Sequence, residues 1–360
     1  MPKRVTLKEV ASAADVSYQT VSKVLNRQVR VSKETEERIH EAVRRLGYHP
    51  DLRARNLRMR RSGMLGYSWA PPPTDQANSI LDLFLRSMMD AAERTGYHVL
   101  PFPHREAPGE IEGYHELINS GRVDGFVLSS VESDDPRVAF LKAQDFPFVG
   151  FGRTNPGEDI SFVDVDGTAG IEMATEHLLG LGHRKIALLA WPRPSRVGEE
   201  RLAGYLQVLK RADIAPREDW IARGEGRVAF GWLATSRWLE CGPDDRPTAI
   251  VALNDAMAVG AMRAVQERGL RVGQDIAITG FDDSPLVQFL SPPLTSVRQP
   301  IWRVGQEVVR ILAGILTGEP VKERQVLLEP RLVVRASSDP RMTTSRSATL
   351  PISGGDTTIG

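Results

Sequence analysis

Apolar residues recur at three- and four-residue spacing along the first fifty positions, the period of helices that bury a single stripe. Leu7, Val10, Ala11 and Ala14 form the first stripe, and Thr6-Leu7-Lys8-Glu9 has the reciprocal pattern of a capping box, so a helix starts at Leu7. Asp15-Val16-Ser17 interrupts the pattern, and Ser17 is placed to cap a second helix running through Asn26. That helix buries Val21, Val24 and Leu25 and turns Tyr18, Gln19, Ser22, Lys23 and Asn26 outward. A third helix opens at Ser32, carries Glu34 and Glu36 near its positive end, buries Ile39, Ala42, Val43 and Leu46, and stops at Gly47. Two short helices across a tight turn, braced by a third, predict a helix-turn-helix.

From Met64 the period changes: short apolar runs alternate with amphipathic segments, the mark of parallel sheets with crossover helices. Strands are predicted at residues 64–69, 97–102, 124–128, 148–151, 185–190, 249–253 and 276–280, and helices at residues 80–95, 167–181, 200–211 and 255–268. Glycines at 96, 182 and 269 stop three of those helices. So many parallel strands, with a Pro-rich stretch at residues 290–294, predict two doubly wound lobes. In such folds ligands bind beyond the carboxyl ends of the strands.

Charge sharpens this division. The formal net charge is zero, yet residues 1–62 carry 15 Lys and Arg against 7 Asp and Glu, leaving a net of +8 on the head and −8 on the rest. A basic head on an acidic body points to a polyanion partner for the head alone, and an α-helix with polar side chains outward fits the major groove of DNA. Residues 51–61, Asp-Leu-Arg-Ala-Arg-Asn-Leu-Arg-Met-Arg-Arg, form a basic segment too short to be a stable helix by itself and able to order on DNA. The one cysteine, Cys241, excludes an internal disulfide and a cysteine-cluster metal site and reads as a buried or partly buried bystander. No cofactor is implied. There is no run of eighteen apolar residues and no charged-then-apolar leader, so the expected location is the cytoplasm.

The head sequence VTLKEVASAADVSYQTVSKVLN, followed by VSKETEERI, LGYHP and RARNLR, closely resembles the lactose-repressor/galactose-repressor family, and the resemblance extends to about residue 338. It implies an all-α helix-turn-helix head over residues 1–49, a hinge helix over 50–62, and an α/β two-lobed body over 63–340 built like periplasmic sugar-binding proteins. The lobes are expected at residues 63–163 plus 295–322 and at 164–294 plus 323–340, with a disordered tail at 341–360. The resemblance makes Tyr18 and Gln19 base readers, Leu57 a minor-groove wedge and Ala54 its neighbour. Thr6, Ser17, Ser22, Lys23, Asn26 and Ser32 complete the expected DNA-binding set. Lys23 stands where the lactose repressor has arginine, which removes a bidentate fork and leaves the operator sequence open. The tail lacks a leucine heptad run, so a homodimer is expected.

For the body, the resemblance places a small effector on Arg201, Asn254 and Asp282, with Arg153, Trp191, Trp69 and Gln299 as further candidates at strand ends. Read from the residues alone, each of the first three is better taken as a helix cap or surface ion pair than as a ligand contact. A neutral sugar needs directional donors and acceptors plus an apolar platform, which suits Arg, Asn, Asp and tryptophan. The expected function is a repressor of carbohydrate-utilisation genes released from its operator by a glycoside or short oligosaccharide. The alternative is a purine or nucleoside acting as corepressor. An enzyme is disfavoured because no Gly-rich phosphate loop, Gly-x-Ser-x-Gly elbow or His-Glu-x-x-His pair is present. A transport solute-binding protein would lack the basic head.

Overall fold

The computed structural model describes residues 5–25, 29–48, 61–69, 78–105 and 109–345, with side chains through Met342. Contacts divide the chain into two units, Met1–Gly63 and Met64–Gly360.

In the first unit, α1 (Leu7–Ala13), α2 (Tyr18–Leu25) and α3 (Lys33–Leu46) pack around Val10, Ala11, Ala14, Val21, Val24, Ile39, Ala42 and Tyr48. The capping box is formed: the Glu9 amide donates to Thr6 Oγ1 at 3.4 Å and the Thr6 amide donates to the Glu9 carboxylate at 2.7 Å. Ser17 Oγ accepts from the Thr20 amide at 3.0 Å, and Ser32 Oγ accepts from the Thr35 amide at 3.3 Å. Gly47 ends α3 with φ of +62°, a left-handed conformation that glycine adopts without a Cβ penalty. Val43, Leu46 and Leu25 are half-buried rather than buried, because a three-helix unit this small has too little interior to enclose every stripe residue. Asn26, Ala54, Leu57 and the expected hinge helix at 51–60 lie outside the described residues.

The second unit contains two six-stranded sheets. The first has the order β11-β5-β4-β3-β1-β2, with β1 at Met64–Trp69, β2 at His98–Pro103, β3 at Gly125–Leu128, β4 at Phe148–Phe151, β5 at Phe162–Val165 and β11 at Gln325–Leu328. All its pairings are parallel. The second has the order β12-β10-β9-β8-β6-β7, with β6 at Ile186–Ala190, β7 at Ile221–Arg223, β8 at Ala249–Ala252, β9 at Ala277–Asp282, β10 at Thr295–Arg298 and β12 at Arg331–Val333. Only β12 runs antiparallel to its neighbour. The strands of both sheet centres are enclosed on both faces, as their unbroken apolar runs require.

Helices complete the layers. In the first lobe α4 (Ser79–Thr95) packs against α11 (Ile301–Thr317), while α5 (Glu112–Asn119) and α6 (Pro136–Ala143) contribute Tyr114, Leu117, Val138 and Leu141 to a separate core with Phe126 and Leu128. In the second lobe α7 (Gly167–Gly180) packs on α8 (Arg196–Arg211), and α9 (Val228–Trp238) on α10 (Asp255–Glu267). Helix α8 begins one turn earlier than the apolar period suggests because Ser195 caps it, accepting from the Gly198 amide at 3.3 Å.

The lobe boundaries expected from the sequence are corrected by strand pairing. Residues 295–298 belong to the second lobe, since β10 pairs with β9, and residues 325–328 belong to the first, since β11 pairs with β5. The Pro-rich stretch at 290–294 is a loop within the second lobe and not a crossing between lobes. The chain crosses instead near Asp166, at 299–300 and at 329–330. Two expectations about single segments also change: Cys241 is exposed, and Pro340–Ser345 forms a short 3-10 helix where disorder was expected. Residues 346–360 lie outside the described set. Among the described residues no helix is long and apolar enough to cross a membrane.

Candidate functional site

On α2 the buried positions Val21 and Val24 fix which face remains outside: Tyr18, Gln19 and Lys23 are exposed and Ser22 is half-buried. These four share one surface because they follow the i, i+1, i+4, i+5 pattern of a helix face. Thr6, Ser17 and Ser32 sit at the three helix starts, where their hydroxyls already serve as caps. Backbone amides at such starts suit a phosphate oxygen.

In the body the candidate effector residues lie just beyond the carboxyl ends of strands: Trp69 on β1, Arg153 after β4, Trp191 after β6, Asn254 after β8, Asp282 on β9 and Gln299 after β10. Arg201 reaches in from α8. Its guanidinium is stacked between two rings, with its carbon 3.6 Å from the Phe281 centroid and 4.9 Å from that of Trp191. Nη1 donates to the Leu253 carbonyl at 2.5 Å, while Nε is buried without an acceptor. Burial lowers the affinity of Arg201 for its proton, and the carboxylates of Asp282, Asp164 and Asp255 oppose that effect.

Asp282 has φ of +114°, a strained backbone for a residue with a Cβ. Its Oδ1 accepts from Gln299 at 2.7 Å. Desolvation pushes its carboxyl up to about 6 even though Arg201 acts in the opposite direction. Beside it, Asp255 is 4% exposed and accepts from the Ser296 hydroxyl at 2.6 Å and the Ser284 amide at 2.7 Å. Burial and the neighbouring Asp282 charge raise its carboxyl as well. Next along the chain, Asp283 is clamped by Arg298 and by Arg335, the latter at 2.7 Å. The floor of the second lobe is thus a run of acidic side chains held by arginine, serine and glutamine.

The structure therefore brings Arg201, Trp191, Asp282 and Gln299 into one cluster. Asn254 borders it with both amide ends engaged: Oδ1 caps α10 by accepting from the Met257 amide at 2.9 Å, and Nδ2 donates to the Gly226 carbonyl at 3.0 Å. Gly226 has little room for a side chain, since a Cβ there would lie 2.5 Å from Asn254 Nδ2; it would also lie 3.1 Å from Trp191 Nε1, which is buried without an acceptor. Arg153 stands apart from the cluster in ion pairs with Asp164 at 2.7 Å and Glu200 at 2.9 Å. Trp69 packs against the core of the first lobe. Phe281 and Asp255 were missed by the sequence reading, although both adjoin the quoted strand-end residues. Nothing local distinguished Phe281 from core packing, and Asp255 reads as an ordinary first-turn acid of a helix.

A helix-turn-helix unit with an open polar face, followed by a two-lobed body with a cluster of polar side chains at its strand ends, defines a DNA-binding transcriptional regulator. Residues 6–51 match the description "Bacterial regulatory proteins, lacI family", and residues 175–338 match "Periplasmic binding protein-like domain". Among curated relatives, the HTH-type transcriptional regulator CelR of Thermobifida fusca is 34% identical over 93% of this chain and 98% of its own length. The repressor PurR of Mannheimia succiniciproducens is 30% identical over 92% and 98%. Among solved structures, a LacI-family regulatory protein from Chloroflexus aggregans is 51% identical with TM-score 0.74, covering 77% of this chain and 99% of its own. A CelR–cellobiose complex is 32% identical with TM-score 0.71 over 93% and 100%, and a lac repressor dimer bound to operator and an anti-inducer is 31% identical with TM-score 0.76 over 94% and 100%. The chain belongs to the lacI family, whose members are transcriptional regulators and not enzymes.

Proposed function

We propose that this regulator is a repressor that grips a pseudo-palindromic operator as a homodimer and releases it when a glycoside or short oligosaccharide enters between the lobes. Tyr18, Gln19 and Lys23 reach base edges or phosphates, Thr6, Ser17, Ser22, Asn26 and Ser32 flank them on the backbone, and Ala54 and Leu57 enter the minor groove. The lac repressor dimer on its operator supports this arrangement by similarity. Effector and operator favour different lobe arrangements, so each changes the affinity for the other by the same factor.

The sugar reading is carried by the cluster around Asp282. Its Oδ2 takes no hydrogen bond from any described residue, and two buried donors of the same cluster, Arg201 Nε and Trp191 Nε1, have no acceptor. Hydroxyl groups both donate and accept, so a polyol offers partners to donors and acceptors alike. The cellobiose complex of CelR favours the same ligand class. The PurR relative favours a purine corepressor instead. Against that second reading, Phe281 and Trp191 each give a ring face to the Arg201 guanidinium, which leaves less aromatic surface for a stacked base.

Isothermal titration of the full chain with disaccharides, aryl glycosides and purine bases discriminates the two, with heat expected from a glycoside. A purine isotherm with no response to any sugar overturns the proposal. A gel-shift titration with the active ligand then fixes the sign, with release of DNA expected.

A further inference from the structure

We infer that Glu132 and Arg153, on the first lobe, latch the two lobes together through α8 of the second lobe. The inference rests on reading the cleft between the lobes as the effector site. It concerns side chains outside the Arg201–Asp282 cluster.

Glu132 follows β3 and projects onto the start of α8. One carboxylate oxygen accepts from the Arg196 amide at 2.6 Å and the other from the Ser195 hydroxyl at 3.3 Å. The first amides of a helix have no partner within it, and its amino end carries partial positive charge, so this anion supplies an acceptor for the Arg196 amide beside the Ser195 cap of the second lobe itself. Arg153 forms the other half. Its Nε holds Asp164 of its own lobe at 2.7 Å, and its Nη2 holds Glu200 of α8 at 2.9 Å.

The two halves are joined through Arg196. Its Nη1 donates to the Arg153 carbonyl at 3.2 Å and its Nη2 to the other Glu200 oxygen at 2.6 Å, so Glu200 is gripped by one arginine from each lobe. Residues 195–200, a single turn at the head of α8, thus carry every interlobe contact of the network. These ions are screened from solvent: the side chains of Arg153 and Glu200 are each 25% exposed, Arg196 13% and Asp164 9%. Charge-assisted bonds of this kind are strong and are weakened little by salt.

The network starts at Asp164, two residues before the crossing at Asp166, and runs through Arg153 and Arg196 to Glu132. Lobes rotating about the crossings must break the Glu132 contacts with α8. The effector therefore competes against a lobe arrangement that is closed beforehand, and its apparent affinity scales with the fraction of the population that is open to it.

The test uses the full-length, ligand-free Cys241→Ser protein, spin-labelled once in each lobe at the exposed positions Asn119 and Lys210, with the interlobe distance read by pulsed electron resonance. The parent should give one narrow distance. Glu132→Ala and Arg153→Met should each add a longer one, with about a tenfold rise in the open fraction for each charge-assisted bond lost. A parent that is already open, or variants that keep the parent distribution, overturns the latch. Should either variant fail to fold, Glu200→Gln carries the same test, because it removes the charge between the two arginines and replaces one of the two accepting oxygens with an amide donor. A role confined to capping α8 would lower melting temperature while leaving the distance unchanged. No effector is present, so failure here is separate from a failed sugar titration.

Discussion

Replacing Arg201 by methionine asks whether charge holds the floor of the cleft. The residue is 5% exposed, and methionine keeps apolar contact with Phe281 and Trp191 while deleting the cation that opposes the upward shift of Asp282. With Arg201 present that carboxyl is raised to about 6. Without it the group moves higher, whereas unfolded aspartates release their protons near pH 4. The folded variant then holds one more proton than its unfolded chain. Its stability relative to wild type falls by about 1.4 kcal/mol for each pH unit between 6 and the raised value of the variant, and levels off above it. At pH 5 both folded proteins carry a protonated Asp282, and the remaining penalty is the lost stacking and the hydrogen bond to Leu253, about 1–2 kcal/mol together. Urea unfolding followed by tryptophan fluorescence at pH 5, 6, 7 and 8 measures both parts. A penalty that stays flat across this range would refute the electrostatic coupling of Arg201 to Asp282.

Two further changes probe the head and the packing. Gln19→Ala should weaken operator binding by about 1–3 kcal/mol without altering the melting temperature, and Lys23→Ala should reduce the salt dependence by about one counterion; equal loss on random DNA for Gln19→Ala would show that it reads no base. Gly231→Ala places a Cβ 2.1 Å from the Met257 carbonyl oxygen where α9 crosses α10, so about 2 kcal/mol or more should be lost despite a better helix former. Gly180→Ala, with open space around it, should instead gain up to about 1 kcal/mol, and calorimetric melting temperatures that move in the same direction for both would contradict the close-packing argument.

The sequence by itself determined the elements whose signals are local. The capping box at Thr6 and Glu9, the caps at Ser17 and Ser32, and the glycine at 47 are chemistry within four residues, and each appears where the pattern puts it. The open face of α2 follows directly from burial of Val21 and Val24. The central strands β1, β3, β4, β6, β8 and β9 were legible because strands enclosed on both faces must be continuously apolar. The edge strands β7 and β12 span three residues each and have no such signature.

Tertiary structure alone decided which sheet a strand joins and which side chains meet. Thr295–Arg298 and Gln325–Leu328 are not among the strands the apolar pattern predicts, and only their pairing with β9 and β5 assigns them to opposite lobes. Arg153 is an effector candidate from its place at a strand end, and only the folded body shows its Nε and Nη2 paired with Asp164 and Glu200. Glu132 meets α8 across 64 positions of chain. Local propensity and periodicity fix the conformation of a segment, but they carry no term for a partner that arrives only when two lobes close, and it is such partners that set the charge state and the free valences of the cleft.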